Sequence, residues 1–147
     1  PQSCGPPGGD GGLPIGKRYD ISRHPSGVVP NNKIITFAFD NAYFQPNHPC
    51  LLNDAVEFAI NSFLNRVIRE HYRKGYKTIV VTSRKKEDLE NIYIEMQHEG
   101  LPVQHIFHTS GELKGPLLKK IGSTLHYDGD DKQIESARAH GIEAIKV

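Results

Sequence analysis

Four short stretches of this chain hold side chains suited to phosphate chemistry. "FAFDNAYF" (37–44) carries Asp40, and "VVTSR" (80–84) carries Thr82 and Ser83 followed by Arg84. "LKGP" (113–116) carries Lys114, and "YDGDD" (127–131) carries Asp128, Asp130 and Asp131. Carboxylates together with water hold magnesium. A hydroxyl and an ammonium bind phosphoryl oxygens and offset the charge that develops on them in transfer. Each residue also has an ordinary role. Acids favour the start of a helix, a Thr or Ser serves as an N-cap, and a lone lysine or the run Arg84-Lys85-Lys86 is commonly a solvated surface. The chemistry therefore depends on whether the fold brings the four stretches together.

The intervening pattern says that it does. "KIITFAF" (33–39) and "KTIVVTS" (77–83) are continuous apolar runs of the kind found in strands covered on both faces. "PVQHIF" (102–107), "STLHY" (123–127) and "IEAIKV" (142–147) are shorter strands. Helices separate them. The longest is expected over 53–74, with Asn53 as its cap, Val56, Ile60, Phe63 and Val67 as its buried stripe, and Gly75 as its stop. A second follows over 85–99, with Leu89, Ile92, Tyr93 and Met96 on one face and Gly100 after it. A third opens at Gly115-Pro116 and closes at Gly122, and a fourth runs through "DDKQIESARAHG" (130–141). Alternating strands and helices imply an α/β fold, a three-layer Rossmann-like parallel sheet of about five strands with helices on both faces. In such folds the loops at the carboxyl ends of the strands build the site. Here those loops are 38–47, 82–86, 108–114 and 127–132, which contain all the residues above.

The first 32 residues differ. They are rich in Gly and Pro and have no strand or helix period, so they read as an extended arm ahead of a domain spanning 33–147. The arm is a candidate for docking on a protein partner or on a second copy of the chain. The chain has 147 residues, 37% of them hydrophobic and 24% charged, which suits one domain with a sizeable core. Its formal net charge of +1 provides no overall basic field for nucleic acid. No apolar run is long enough to span a bilayer and no signal-peptide pattern opens the sequence, so a cytoplasmic location is the default expectation. Cys4 and Cys50 match no zinc spacing and read as free thiols. His105 and His108 lie three apart on a strand, which points them to opposite faces, so a metal site shared with His126 is disfavoured.

In their order along the chain the four stretches resemble the haloacid dehalogenase (HAD) superfamily of phosphatases. The resemblance covers 33–147 and is nearest to small capless or minimally capped members, including class B acid phosphatase-like and polynucleotide-phosphatase-like domains. That family reads Asp-x-Asp-x-Thr after the first strand, Ser or Thr after the second, Lys before a later helix, and an acidic turn after the fourth strand. The resemblance implies a HAD-like sheet, Mg2+ as cofactor of an active member, and a phosphorylated small molecule as ligand. It implies catalytic roles for Asp40, Thr82 and Lys114, phosphate binding by Thr82, Ser83 and Lys114, and metal ligation by Asp40, Asp128, Asp130 and Asp131.

The departures from the family pattern bear on activity. Ala38 stands at the position of the nucleophilic aspartate, and a methyl group neither attacks phosphorus nor ligates magnesium. Ala42 stands at the usual threonine. Counting back from Ile134 and Gly141 puts Gly129 at the metal-binding aspartate, with Asp128, Asp130 or Asp131 as substitutes only after a backbone shift. The expectation is a HAD-like domain that has lost phosphoryl transfer and acts as a binding or structural and assembly module. Two alternatives stay open: an Mg2+-dependent phosphohydrolase acting on phosphomonoesters, nucleotides or polynucleotides, in which Ala38 replaced the nucleophile, and a phosphate-ligand sensor without turnover.

Overall fold

The computed structural model describes residues 33–49 and 56–147. The arm expected over 1–32, both cysteines and Asn53 lie outside the described residues. In chain order the elements are β1 (Ile34–Phe37), β2 (Phe44–Pro49), β3 (Val56–Ile60), α1 (Ser62–Arg73), β4 (Lys77–Thr82), a 3-10 turn (Lys86–Asp88), α2 (Glu90–Glu99), β5 (His105–His108), α3 (Gly115–Ile121), β6 (Ser123–Asp128), α4 (Asp131–Ala139) and β7 (Glu143–Lys146).

Five strands form one parallel sheet in the order β5-β4-β1-β6-β7. From β1 the chain moves outward through β4 and β5, then returns to the other side of β1 and moves outward again through β6 and β7. The strand order therefore reverses at β1, and the carboxyl ends of β1, β4 and β6 surround the switch point where α/β sheets bind ligands.

Side-chain alternation divides the core into two layers. Val80 of β4, with Ile35 and Phe37 of β1, packs against Leu64 and Ile68 of α1 and Ile92 and Met96 of α2. Ile79 and Val81, the neighbours of Val80, face the opposite way onto Leu118 of α3 and Ile134 and Ala137 of α4. This is the period of two expected for strands buried on both sides. The fold is thus the three-layer Rossmann-like α/β arrangement. Among the described residues, no helix is long and apolar enough to cross a membrane.

The expected helix over 53–74 is corrected. Residues 56–60 are a strand that pairs antiparallel with β2, with Phe44 opposite Ile60, as a small second sheet. Val56, Phe58 and Ile60 alternate at a period of two, and that pattern prevails over the four-residue spacing of Val56 and Ile60. The helix starts six residues after Val56, at Ser62, where the Asn61 side chain accepts a hydrogen bond from the Leu64 N–H at 3.0 Å. The buried face shifts accordingly. Leu64 and Ile68 are fully buried, whereas Phe63, expected in the stripe, is 50% exposed.

That register makes a direct prediction. Ile68→Ala is expected to destabilise the fold by about 2–5 kcal/mol, whereas Phe63→Ser changes stability by less than about 1 kcal/mol. Urea denaturation of the two variants checks it.

Candidate functional site

The turn after β1 is built from backbone bonds. The Phe44 N–H donates to Phe39 O at 2.8 Å, the Asn41 N–H donates to Phe44 O at 3.0 Å, and Asn41 takes a positive φ of 59°. Asparagine tolerates this conformation better than most side chains. Ala38, 1% exposed, donates its N–H to Tyr127 O at 2.9 Å and packs with the core layer under α1 and α2. Two residues on, Asp40 is held in a two-pronged ion pair: Arg84 Nε donates to Oδ2 at 2.8 Å and Nη2 to Oδ1 at 2.9 Å. Arg84 is itself fixed, donating from Nη1 to Asp88 O at 3.0 Å and lying 5.2 Å from the centre of the Phe39 ring.

At the end of β4, Thr82 is buried and its Oγ1 accepts from the Arg84 N–H at 3.2 Å. The 109–111 segment is pinned alongside, with the Thr109 and Gly111 N–H groups donating to Thr82 O and Ser83 O at 2.9 and 2.8 Å. Two side chains of α4 hold the start of α3. Gln133 Oε1 accepts from the Lys114 N–H at 2.8 Å, and Ser136 Oγ accepts from the Gly115 N–H at 3.0 Å.

The last group lies at the end of β6. Asp128 is 1% exposed, and three donors surround its carboxylate. Lys114 Nζ and His126 Nε2 both lie 2.8 Å from Oδ2, and the Asp130 N–H donates to Oδ1 at 3.0 Å. His126 Nδ1 lies 2.8 Å from Thr36 Oγ1, which in turn lies 2.8 Å from Ser123 Oγ. A neutral ring that donates from Nε2 to Asp128 and accepts at Nδ1 from Thr36 satisfies the whole chain. Burial lowers the imidazole's pKa, and this outweighs the bond from Asp128 that raises it. For Asp128, burial pushes the carboxyl up, but the His126 bond and the Lys114 charge prevail and hold it below its ordinary value.

These elements enclose a cleft of about 190 Å³ lined by Asp40, Asn41, Thr82, Ser83, Lys114, Asp128, Asp130 and Gln133. Of the residues expected at the site, the structure brings Asp40, Thr82, Ser83, Lys114, Asp128 and Asp130 together. Ala38 does not line the cleft. Asp131 lies apart, 74% exposed and 3.0 Å from Lys146 Nζ. Arg84 was expected in a solvated basic run and not as a partner of Asp40, and Gln133, His126 and Thr36 were not among the expected site residues. His126 had a legible signal, since it precedes Asp128 by two residues in a strand and so shares its face.

The magnesium ion that the family resemblance implies does not fit these donors. Both oxygens of Asp40 are bonded to Arg84, and Asp128 is bonded to Lys114, His126 and a backbone amide. Asp130 Oδ1 accepts from the Lys132 N–H at 2.9 Å as the cap of α4. Gly129, which the resemblance aligns with a metal-binding aspartate, lies against the backbone of Asn41, so that a β-carbon there overlaps the Asn41 carbonyl oxygen.

Comparisons with known proteins agree on architecture. A chain in the structure of the Pnkp1/Rnl/Hen1 RNA repair complex superposes with a TM-score of 0.64 at 13% identity, covering 79% of this chain and 42% of that one. A chain in another structure of the Pnkp1/Rnl/Hen1 complex gives 0.63 at 13% identity, covering 82% and 47%. The likeness is one of fold, and this chain spans less than half the length of either neighbour. No protein-family model and no curated protein matches the chain.

Two predictions follow from the buried charges. Lys114→Met leaves the Asp128 carboxylate buried without its cation and is expected to cost about 3–5 kcal/mol in urea denaturation. Stability should also fall on acidification. The folded pKa of His126 lies below the ordinary value, so its contribution is complete above about pH 6.5 and is lost as pH falls towards the folded value. His71, lowered by burial and then by Lys74, adds in the same direction. Asp128, also held low, contributes stability that is present above about pH 3.9 and is lost as pH falls through its folded value. Glu95, raised by burial, opposes this where it titrates. Thermal melts are therefore expected to shift down through the two histidines as pH falls below about 6.5, and His126→Gln should flatten that part of the curve.

Proposed function

We propose that this chain is a HAD-like domain that binds a phosphorylated ligand in the cleft at the carboxyl ends of β1, β4 and β6 and does not transfer the phosphoryl group. The observation that carries this reading is the state of the cleft's charges. Lys114, the family's phosphate-binding lysine, is 2.8 Å from Asp128, and Asp40, the family's general acid/base, is doubly bonded to Arg84. The nucleophile's position holds the buried methyl group of Ala38. A covalent mechanism needs a nucleophile within bonding reach of phosphorus, and the turn after β1 offers no second carboxylate.

What remains is a small polar cleft. Its volume of about 190 Å³ is below the range of pockets that enclose a whole drug-sized ligand. It suits a phosphate group, with the bulk of the ligand outside. The likeness to chains of an RNA repair complex makes a polynucleotide's terminal phosphate one candidate. The net charge of +1 lacks the basic field that an extended polynucleotide calls for, so a phosphorylated small molecule is favoured. Docking on a protein partner or a second copy through the Gly/Pro-rich arm at 1–32 is compatible with this reading.

The test is an assay of a generic phosphate ester with magnesium, using the native chain and Ala38→Asp, alongside titration with inorganic phosphate. Binding of phosphate with no turnover in either protein is expected. Magnesium-dependent turnover by Ala38→Asp would instead support the phosphohydrolase reading, with the aspartate as in-line nucleophile. Turnover by the native chain would remove the proposal.

A further inference from the structure

We infer that the cleft takes its oxyanion without a divalent cation, Arg84 supplying the neutralisation of Asp40 that such a cation would otherwise provide. This rests on the reading that the cleft binds an oxyanion, and deepens it.

A divalent cation in a protein is held by oxygens with lone pairs to give, chiefly carboxylates. Of the three carboxylates of this cleft, Asp40 and Asp128 are paired with cations and Asp130 is engaged through one oxygen. Asp40 faces a guanidinium with both oxygens, at 2.8 and 2.9 Å. Asp128 Oδ2 takes an ammonium and an imidazole, each at 2.8 Å. The lone pair remaining on its Oδ1 belongs to a carboxylate whose charge Lys114 already offsets, and a dication there would meet that ammonium. Asp130 caps α4 through Oδ1. The remaining family position is Gly129, where the close approach of the Asn41 backbone excludes any side chain. No rotamer change supplies a ligand from a residue that has no room for a β-carbon.

Arg84 is, by contrast, built into place. Its fork matches the Asp40 carboxylate with two parallel N–H bonds, the arrangement that gives arginine its advantage over lysine. A third N–H is fixed on Asp88 O at 3.0 Å, and the guanidinium lies over Phe39. Asp40 lines the cleft and its side chain is 46% exposed, so without Arg84 it would repel an incoming anion. Arg84 acts through Asp40 and is a positioning residue. It lies four residues before Asp88 and in the loop that also presents Thr82 and Ser83, so cation and hydroxyls come from one segment.

The test uses the full chain with two probes, inorganic phosphate followed by calorimetry and manganese followed by electron paramagnetic resonance. In the native protein, phosphate affinity is expected to agree within about twofold between EDTA and excess magnesium, since a charge-assisted contact to a metal would change it by tenfold or more. Manganese alone should show no bound signal. Arg84→Met is expected to weaken phosphate about tenfold in EDTA, by exposing the Asp40 charge, and added magnesium should recover part of the loss. Arg84→Lys keeps the charge and should stay independent of magnesium. Circular dichroism confirms that both variants fold; a variant that does not fold is replaced by Asp40→Asn, which should bind phosphate at least as well as the native chain in EDTA. Phosphate binding by the native protein that requires magnesium, or a bound manganese signal that phosphate perturbs, overturns the inference while leaving the oxyanion reading intact. Unchanged affinity in Arg84→Met overturns the part given to Arg84. No phosphate binding with or without magnesium removes the oxyanion reading itself.

Discussion

The buried carboxylate of Asp128 is the group around which the site side of this domain is organised. A carboxylate that is 1% exposed is stable only if protein donors replace water. Those donors come from three places: Lys114 before α3, His126 on the same strand, and the amide of Asp130 in the turn that starts α4. Each donor brings its own requirement. His126 needs Thr36 on β1, so the two central strands are joined through side chains as well as through their ladder. Lys114 is oriented by Gln133, and its neighbour Gly115 by Ser136, so α4 grips the start of α3. The two helical layers are thus held differently. On one face α1 and α2 rest on an apolar core of Leu64, Ile68, Ile92 and Met96. On the other, a polar chain runs beside the smaller apolar cluster of Leu118, Ile134 and Ala137.

This arrangement limits what the cleft can do. An ammonium that stabilises charge in phosphoryl transfer must turn towards the phosphoryl oxygens when they develop it. Lys114 is instead required by Asp128, and pulling it away leaves a buried carboxylate with a neutral imidazole. Asp40 is in the same position with respect to Arg84, though nearer to solvent, where the interaction is weaker. An anion entering the cleft competes with these internal pairs, and the groups it meets at least cost are the hydroxyls of Thr82 and Ser83 at the end of β4.

Much of the sheet was legible before the structure, because continuous apolar runs bounded by Gly and by capping residues are a strong signal. The segment around 53–60 was not. Val56, Ile60, Phe63 and Val67 satisfy a helical spacing, and the competing alternation of Val56, Phe58 and Ile60 is only three residues deep. Asn61 was the better cap, and the chain on either side of it changes period there. In the site, the loop rule located Asp40, Thr82, Ser83, Lys114, Asp128 and Asp130, because it depends only on where strands end. The pairings were not legible. Asp40 and Arg84 are 44 residues apart, and Lys114 and Asp128 are 14 apart. No spacing says that two strand-end loops meet face to face. Asp131 was grouped with its neighbours in the acidic run, but the first turn of α4 rotates it away from Asp128 and towards Lys146.

The same pairings weigh on how the departure at Ala38 is read. If a nucleophilic aspartate alone had been replaced, the groups that served it would stand ready around its place. Catalytic sites commonly hold such unsatisfied or strained groups, and other parts of the fold compensate for them. Here the surrounding groups satisfy one another. Asp40 has both oxygens occupied, Asp128 has three donors, and the backbone of Asn41 fills the space where Gly129 would have to carry a side chain. Ala38 belongs to the apolar core and not to the wall of the cleft. Restoring a carboxylate at 38 therefore adds a charge next to a network that has no free cation within its own bonds to receive it. That internal consistency, spread over three loops, is the observation on which the proposal of a ligand-holding cleft without phosphoryl transfer rests.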